Sequence, residues 1–324
     1  MLSMLIQRLL SRDNETDIVV LDVNPPPQPI REVLRGQGTR LHWLESDIRD
    51  AEGLRQLLAE EAFDVIVHGA AITHSDGMEF DTPHRFIEVN VDGTVRLLDA
   101  IRHSPSRTPL LLHISSCAVY GDGQPGLDPQ PETLSLQPVE TYGISKLAAE
   151  MLVERYRQLY AMRVVRLRPG KVFGPGERPT GARTVMSAPY EAMKAVISAE
   201  PLLVTERTMA ASLDWLSSTD LVDAILLVVD GMVPDGGVYN IGSGRRTTFQ
   251  ELARLAESAA GVPVIRIGPD GQAVLDVDPA STFGRDARSD ISSFSAATGW
   301  KPQKFSERFH EYHAWAKDHW SELG

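Results

Sequence analysis

Between Ile18 and Pro169, unbroken apolar runs alternate with stretches of helical periodicity, and this alternation leaves the chain very few architectures. IVVLDV, LHWLE, VIVH, LLLHI and RVVRLRP are short runs of the kind found in strands buried on both faces. Between them stand AEGLRQLLAEEA, PHRFIEVNVDGTVRLLDAIRH and ETYGISKLAAEMLVERYRQLY, whose apolar residues recur at helical spacing. Strand, helix, strand, helix is the order of a parallel sheet with helices on both sides. The fold class predicted is α/β, a doubly wound parallel sheet.

Beyond Pro169 the rhythm changes. A Gly- and Pro-rich stretch precedes a helix at about 185–199, a strand-and-helix unit follows at LDWLSSTDLVDAILLVVDG, and GGVYNIGSG reads as a further strand. The expected division is a Rossmann-type nucleotide-binding domain of residues 1–169 plus about 214–242. A smaller, interleaved substrate domain takes about 170–213 plus 243–324.

The opening MLSMLIQRLL, an amphipathic helix, leads to a strand ending in Asp22. That is the second half of a dinucleotide-binding unit; the first strand and its glycine-rich turn have no counterpart. Two readings follow: Met1 is an internal residue of a longer polypeptide, or a variant has lost the phosphate loop. Removing a strand from the middle of a parallel sheet strands backbone groups and a core face, which favours the first.

With 32 basic against 44 acidic residues in 324, the net charge of −12 disfavours nucleic acid and anionic membrane as partners. A single cysteine, Cys117, excludes an intramolecular disulfide framework and fits a reducing, cytoplasmic setting. The chain shows no apolar stretch of membrane-spanning length.

The sharpest chemical signal is TYGISK, which puts Tyr142 and Lys146 one helical turn apart on one face. A phenol with a pKa near ~10 is a poor base at neutral pH, and a neighbouring ammonium favours the phenolate. Upstream, LLLHISSCAVYG brings Ser115 and Ser116 to the carboxyl end of a buried strand, the edge where parallel sheets bind ligands. A hydroxyl there can hold the oxygen that Tyr142 deprotonates.

With these landmarks, and with VVLD, SDIRD, VIVHGAAITH, VNVDGT, RLRPGKVFGPG, VYNIGSG and GWKP in order, the chain resembles the extended short-chain dehydrogenase/reductases. Its branch is the NAD-dependent epimerase/dehydratase family. The resemblance implies NAD as cofactor, with Asp22 on the adenosine ribose and Asp47 and Ile48 flanking the adenine. Ala70 and Ala71 would let the chain pass close to the cofactor, Asn90 would support the strand ends, and Pro169 and Val172 would line the nicotinamide. It assigns Ser116, Tyr142 and Lys146 as the catalytic set, with Tyr142 and Lys146 also contacting the cofactor. It also implies a homodimer pairing the helices at about 82–103 and 142–160.

The departures narrow the substrate. Where dehydratases carry an acid pair, this chain has Cys117 and Ala118, so sugar-nucleotide dehydration is disfavoured. Leu213 replaces an arginine that nucleotide-sugar epimerases present to the diphosphate, and Lys171 replaces an asparagine. Lys171 and Arg183, with Thr73, are the candidate substrate contacts; Arg285 and Arg288 are further candidates for an anionic group. No histidine set suggests a metal. The stripe Phe309, Tyr312, Trp315 and His319 is expected to pack the tail helix onto the body.

The expected activity is NAD-dependent oxidation of a secondary alcohol on a sugar, sugar acid or similar polyhydroxylated substrate. The alternatives are a UDP-sugar 4-epimerase and, from another class, a non-catalytic nucleotide-binding protein.

Overall fold

The structure, a computed structural model, describes residues 2–12, 15–27, 30–32, 40–73, 77–124, 126–180, 183, 185–268, 275–277 and 287–322. β1 (Ile18–Asp22) and β2 (Leu41–Glu45) pair in parallel, Ile18 opposite Leu41. β3 (Val65–His68), β4 (Leu110–Ile114) and β5 (Arg163–Pro169) form a second parallel array, with Val65 opposite Leu110 and Leu110 opposite Arg163. Of the shorter strands, β6 (Lys171–Phe173) pairs with β9 (Trp215–Ser217), β7 (Leu202–Val204) with β12 (Ile265–Ile267), and β8 (Ser212–Leu213) with β11 (Thr247–Thr248). β10 (Val238–Ile241) lies beside β5 and gives the main sheet the order β10-β5-β4-β3. These apolar runs form strands because both faces are covered, and β4 is buried at every position.

No ladder joins β1 to β3 among the described residues. The two arrays nevertheless share their packing. Helix α1 (Leu2–Arg12) puts Leu5 against Leu110 and Leu112 and sets Ile6 and Leu10 against Leu41, Ile30 and Ile18. On the opposite face Leu21 of β1 packs with Ile48, Leu54 and Ile66. The two arrays thus share α1 as cover on one face, with a break in the ladder between β1 and β3 among the described residues. Val65, Ile66 and Val67 are only half-buried there, whereas Leu111 and Leu112 are 0% exposed.

Helices α2 (Ala51–Glu60), α3 (Gly93–His103) and α4 (Thr141–Tyr160) cover one face. The other is covered by α1 and the helix Ser218–Val229. A separate apolar core gathers Phe173, Met193, Trp215, Phe249, Leu252, Phe309 and Tyr312. Phe309 and Tyr312 are fully buried, so the tail stripe packs as its spacing predicts. The tail is divided, however. Phe294 and Trp300 join the core of the main sheet beside Tyr239.

The continuous helix predicted over 83–103 is interrupted. A turn at His84–Phe86 passes into a π-helical segment, Ile87–Asp92, before α3 begins. The wide turn holds Asn90, whose Oδ1 accepts from Ile72 N at 2.8 Å and whose Nδ2 donates to Ile72 O at 3.0 Å. Such segments recur at functional sites.

Candidate active site

Ser115 and Ser116 leave β4 at the sheet's carboxyl edge and then diverge. Ser115 Oγ turns inward and donates to Glu150 Oε2 at 2.7 Å. Ser116 caps the short turn Cys117–Tyr120, accepting from Ala118 N at 3.1 Å, and is hydrogen-bonded to Tyr142. Only Ser116 therefore meets the tyrosine. Gly143 permits the approach, since a Cβ there would lie 2.7 Å from Ala118 O.

The segment from Ile72 to Asn90 holds Tyr142 in place. Phe86 meets its ring edge-on at 6.3 Å between centroids. Asn90 Nδ2 donates to Ser145 Oγ at 2.9 Å, and Ser145 Oγ donates to Tyr142 O at 2.7 Å. Glu79 caps α4 from the short helix Met78–Asp81, accepting from Thr141 N at 2.9 Å and from Thr141 Oγ1 at 2.6 Å. Nothing local in the sequence signals Glu79, because its partner lies on another element.

Lys146 is buried one turn further along, and its Nζ donates to Ile114 O at 2.6 Å. Burial pushes its ammonium down to about 8, against the opposing pull of Glu150. The sequence expectation is that Lys146 acidifies Tyr142. Burial raises the phenol above its ordinary value, and the cation pulling it back is Arg183, alongside the Ser116 hydrogen bond. Lys146 Nζ itself is turned to the Ile114 carbonyl.

Behind this pair lies a buried network. Arg168 Nη2 and Nε bond Glu150 at 2.5 and 3.1 Å, and Arg168 Nη1 donates to Tyr120 OH at 2.7 Å. Tyr120 OH donates to Asn240 Oδ1 at 2.7 Å. Cys117 donates to Arg168 O at 3.2 Å, and burial pushes its thiol up to about 11. It stays protonated at neutral pH and is no acid/base substitute.

Lys171 and Arg183, the candidate anion contacts, both have carboxylates nearby. The field of Lys171 acts on buried Asp214, which accepts from Ser243 N at 2.7 Å and Ser289 N at 2.9 Å. Arg183 Nη2 pairs with buried Glu177 at 2.7 Å, and Glu177 also accepts from Ser187 N at 2.8 Å. Arg288 is bonded to Asp128 at 3.1 Å, and Arg285 lies outside the described residues. Leu213 is 2% exposed and presents nothing to a ligand. Thr73 is half-buried in the loop after β3.

The residues present fit a dinucleotide at three points. Asp22 ends β1, its Oδ1 accepting from Asn24 N at 2.8 Å. The first turn of α1 carries no acid and reaches the carboxyl end of β3, where a Cβ on Gly69 would lie 3.5 Å from Leu2 Cδ1. A helix start there suits a diphosphate. Ser116, Tyr142 and Lys146 stand at the far end. Ala70 and Ala71 follow β3 half-buried, Pro169 is buried at the end of β5, and Val172 is half-buried on β6. Two assignments meet competition. Asp47 is bonded to Arg49 at 2.7 Å, and Ile48 is buried against Gly93 rather than presented to a ring.

Fold and edge chemistry together define a Rossmann-type enzyme of the short-chain dehydrogenase/reductase kind. The chain belongs to the NAD dependent epimerase/dehydratase family, which matches residues 3–242. It is 33% identical over 230 residues to a UDP-glucose 4-epimerase of Mycolicibacterium smegmatis, covering 69% of this chain and 68% of that one. It is 28% identical over 292 residues to a dTDP-L-rhamnose 4-epimerase of Burkholderia thailandensis, covering 81% and 77%. Among solved structures it resembles a UDP-glucose 4-epimerase of Thermotoga maritima, with a TM-score of 0.80, 22% identity, and coverage of 98% and 96%. A UDP-glucuronic acid 4-epimerase of Bacillus cereus, solved with UDP-glucuronic acid and NAD, gives 0.78 at 22% identity over 98% and 95%.

Proposed function

We propose that this chain oxidises a secondary alcohol of a sugar, sugar acid or related polyhydroxylated compound at Ser116, Tyr142 and Lys146. The observation that carries the reading is the hydrogen bond between Ser116 and Tyr142 at the carboxyl edge of β4. Ser116 would hold the reacting oxygen and Tyr142 would take its proton. Asp22 would hold the adenosine ribose, and Lys146 the nicotinamide ribose, with Asn90 keeping the Ile72 loop and α4 in register. NAD supplies the hydride acceptor when bound. Dehydration is disfavoured, because Ala118 has no acid and Cys117 keeps its proton.

A second reading, a nucleotide-sugar 4-epimerase, is favoured by the epimerases among the relatives. It needs the oxidised intermediate to be held and reduced on its other face. Against it stands Leu213, buried where the resemblance places a diphosphate-binding arginine. Incubating the full natural chain with NAD and a panel of sugars, sugar acids and nucleotide-sugars decides between them. Net NADH formation supports the oxidoreductase; an epimer without net NADH supports the second reading. Thermal stabilisation by NAD with no turnover of any panel member leaves a binding protein. Tyr142→Phe should lower turnover by about 10²–10⁴-fold, and undiminished turnover would refute the assignment.

The assembly that fits is a homodimer through 82–103 and 142–160. Ile144 (46%), Met151 (64%) and Leu159 (52%) are exposed on α4, and Ile87 (44%) on the neighbouring π-helical turn. Sedimentation of the full chain and of Met151→Glu tests this; a wild-type monomer would refute it.

A further inference from the structure

In-register residues on parallel strands point to one face of the sheet. His68 lies opposite His113, and His113 opposite Arg166, so three polar side chains stand in a row across β3, β4 and β5. Two residues earlier the same row is Ile66, Leu111 and Val164, packed with Val153 of α4. The interior under α4 therefore turns polar as it approaches the carboxyl edge, directly behind Lys146.

All three side chains are buried: His68 is 4% exposed, His113 0% and Arg166 8%. His68 is satisfied. Thr94 gives its own proton to Asn90 O at 2.6 Å, so His68 Nε2 is the donor in its 2.8 Å bond to Thr94 Oγ1. His113 is not satisfied: among the described residues both ring nitrogens are buried without a partner, and so is Arg166 Nε. Arg166 uses Nη2 for Gly236 O at 3.0 Å and Glu154 at 2.8 Å. Interiors meet such needs with ordered water that makes two to four hydrogen bonds.

We propose that the space between β4, β5 and α4 is a water-binding site behind Lys146. One water accepts from Arg166 Nε–H and donates to the bare nitrogen of His113. A neighbouring water accepts from the imidazole N–H. This hydration makes His113 a positioning residue for the Lys146 ammonium. That role rests on the reading of Lys146 as a ribose-holding cation; the water site itself does not.

The titratable groups that act with Lys146 are His68 from β3, His113 from β4 and Glu150 from α4, and Arg166 of β5 acts on His113. From α3 comes the uncharged Thr94. Burial keeps both imidazoles neutral, and Glu150 is the acid acting on Lys146. Water behind the ammonium favours its charged form; an apolar side chain in place of His113 removes that support.

The test uses the full chain without cofactor or substrate. A crystal structure that resolves ordered water should show one within hydrogen-bond distance of both Arg166 Nε and His113. The ring ¹⁵N shifts of His113 should be those of a neutral imidazole bonded at both nitrogens. A dry site, or a protein atom filling it, overturns the proposal. In folded His113→Leu, the lysine Cε titration of Lys146 should move down by about one unit, a tenfold change in protonation. An unmoved titration overturns the positioning role. Neither measurement needs turnover, so a failure of the proposed activity stays separate from a failure here.

Discussion

Asn90 Nδ2 lies 2.9 Å from Ser145 Oγ, and this bond ties the π-helical turn to the helix that carries Tyr142 and Lys146. The same amide closes both backbone groups of Ile72, in the loop after β3. One side chain thus fixes the sheet's carboxyl edge against α4, and the two cannot shift independently.

Asn90→Ala strips Ile72 N–H and C=O of their partner inside the protein. Leaving a buried polar group unpaired costs about 1–3 kcal/mol, and urea unfolding should show a loss of at least that size. Because Tyr142 is placed through Ser145, kcat should fall more than KM rises. An unchanged midpoint and an unchanged kcat would show that the bond carries nothing.

The Glu150–Arg168 pair is nearly free of solvent, its side chains 4% and 5% exposed. Arg168→Met leaves Glu150 buried with Ser115 Oγ as its remaining hydrogen-bond partner among the described residues, a change that typically costs about 3–5 kcal/mol. Replacing both, as Glu150→Leu with Arg168→Met, should recover much of this loss, since well-packed apolar residues avoid the desolvation of two charges. Chemical denaturation of the three variants checks the order of stability.

The alternation of apolar runs made the main sheet legible, because continuous burial leaves no polar phase in a strand. The candidate set Ser116, Tyr142 and Lys146 could be picked out as well, as its spacing is local to a helix and a strand end. Three things were hidden. Glu79 meets Thr141 only through the fold, so no short pattern encodes it. The break in the helix at Ile87–Asp92 follows from bonds that Asn90 makes to other elements, which periodicity cannot register. The direction of the Tyr142 shift follows from burial, and a sequence gives spacing without the burial of one side chain.

His68 and His113 set an acid limit on stability. Burial pushes His68 down to about 3 and holds His113 well below its ordinary value. In the unfolded chain both titrate near ~6.5. Below that pH the unfolded chain takes up protons that the folded one refuses, so stability falls as pH drops from about 6.5 towards 3 and is fully present above that window. Thermal midpoints measured from pH 7 to 4 should decline, and a folded His113→Leu should decline less steeply. Equal slopes would mean that His113 is protonated in the native state.

Arg183 is the cation whose field reaches Tyr142, although it stands in the loop beyond β6. Its Nη2 is held by Glu177 at 2.7 Å and its Nε by Val185 O at 3.2 Å, so the guanidinium is fixed rather than trailing in solvent. A positive charge nearby favours phenolate; removing it leaves burial, which favours the neutral phenol. Arg183→Met should therefore raise the pH at which Tyr142 ionises, and Arg183→Lys should restore most of the original value. Lys146→Met, if folded, should leave that titration in place in the cofactor-free chain, because the lysine sits on Ile114 O. Titration of the phenol carbon by ¹³C NMR reads all three. If Lys146→Met moved the phenol and Arg183→Met did not, the charge acting on Tyr142 would be the one its helical spacing first suggested.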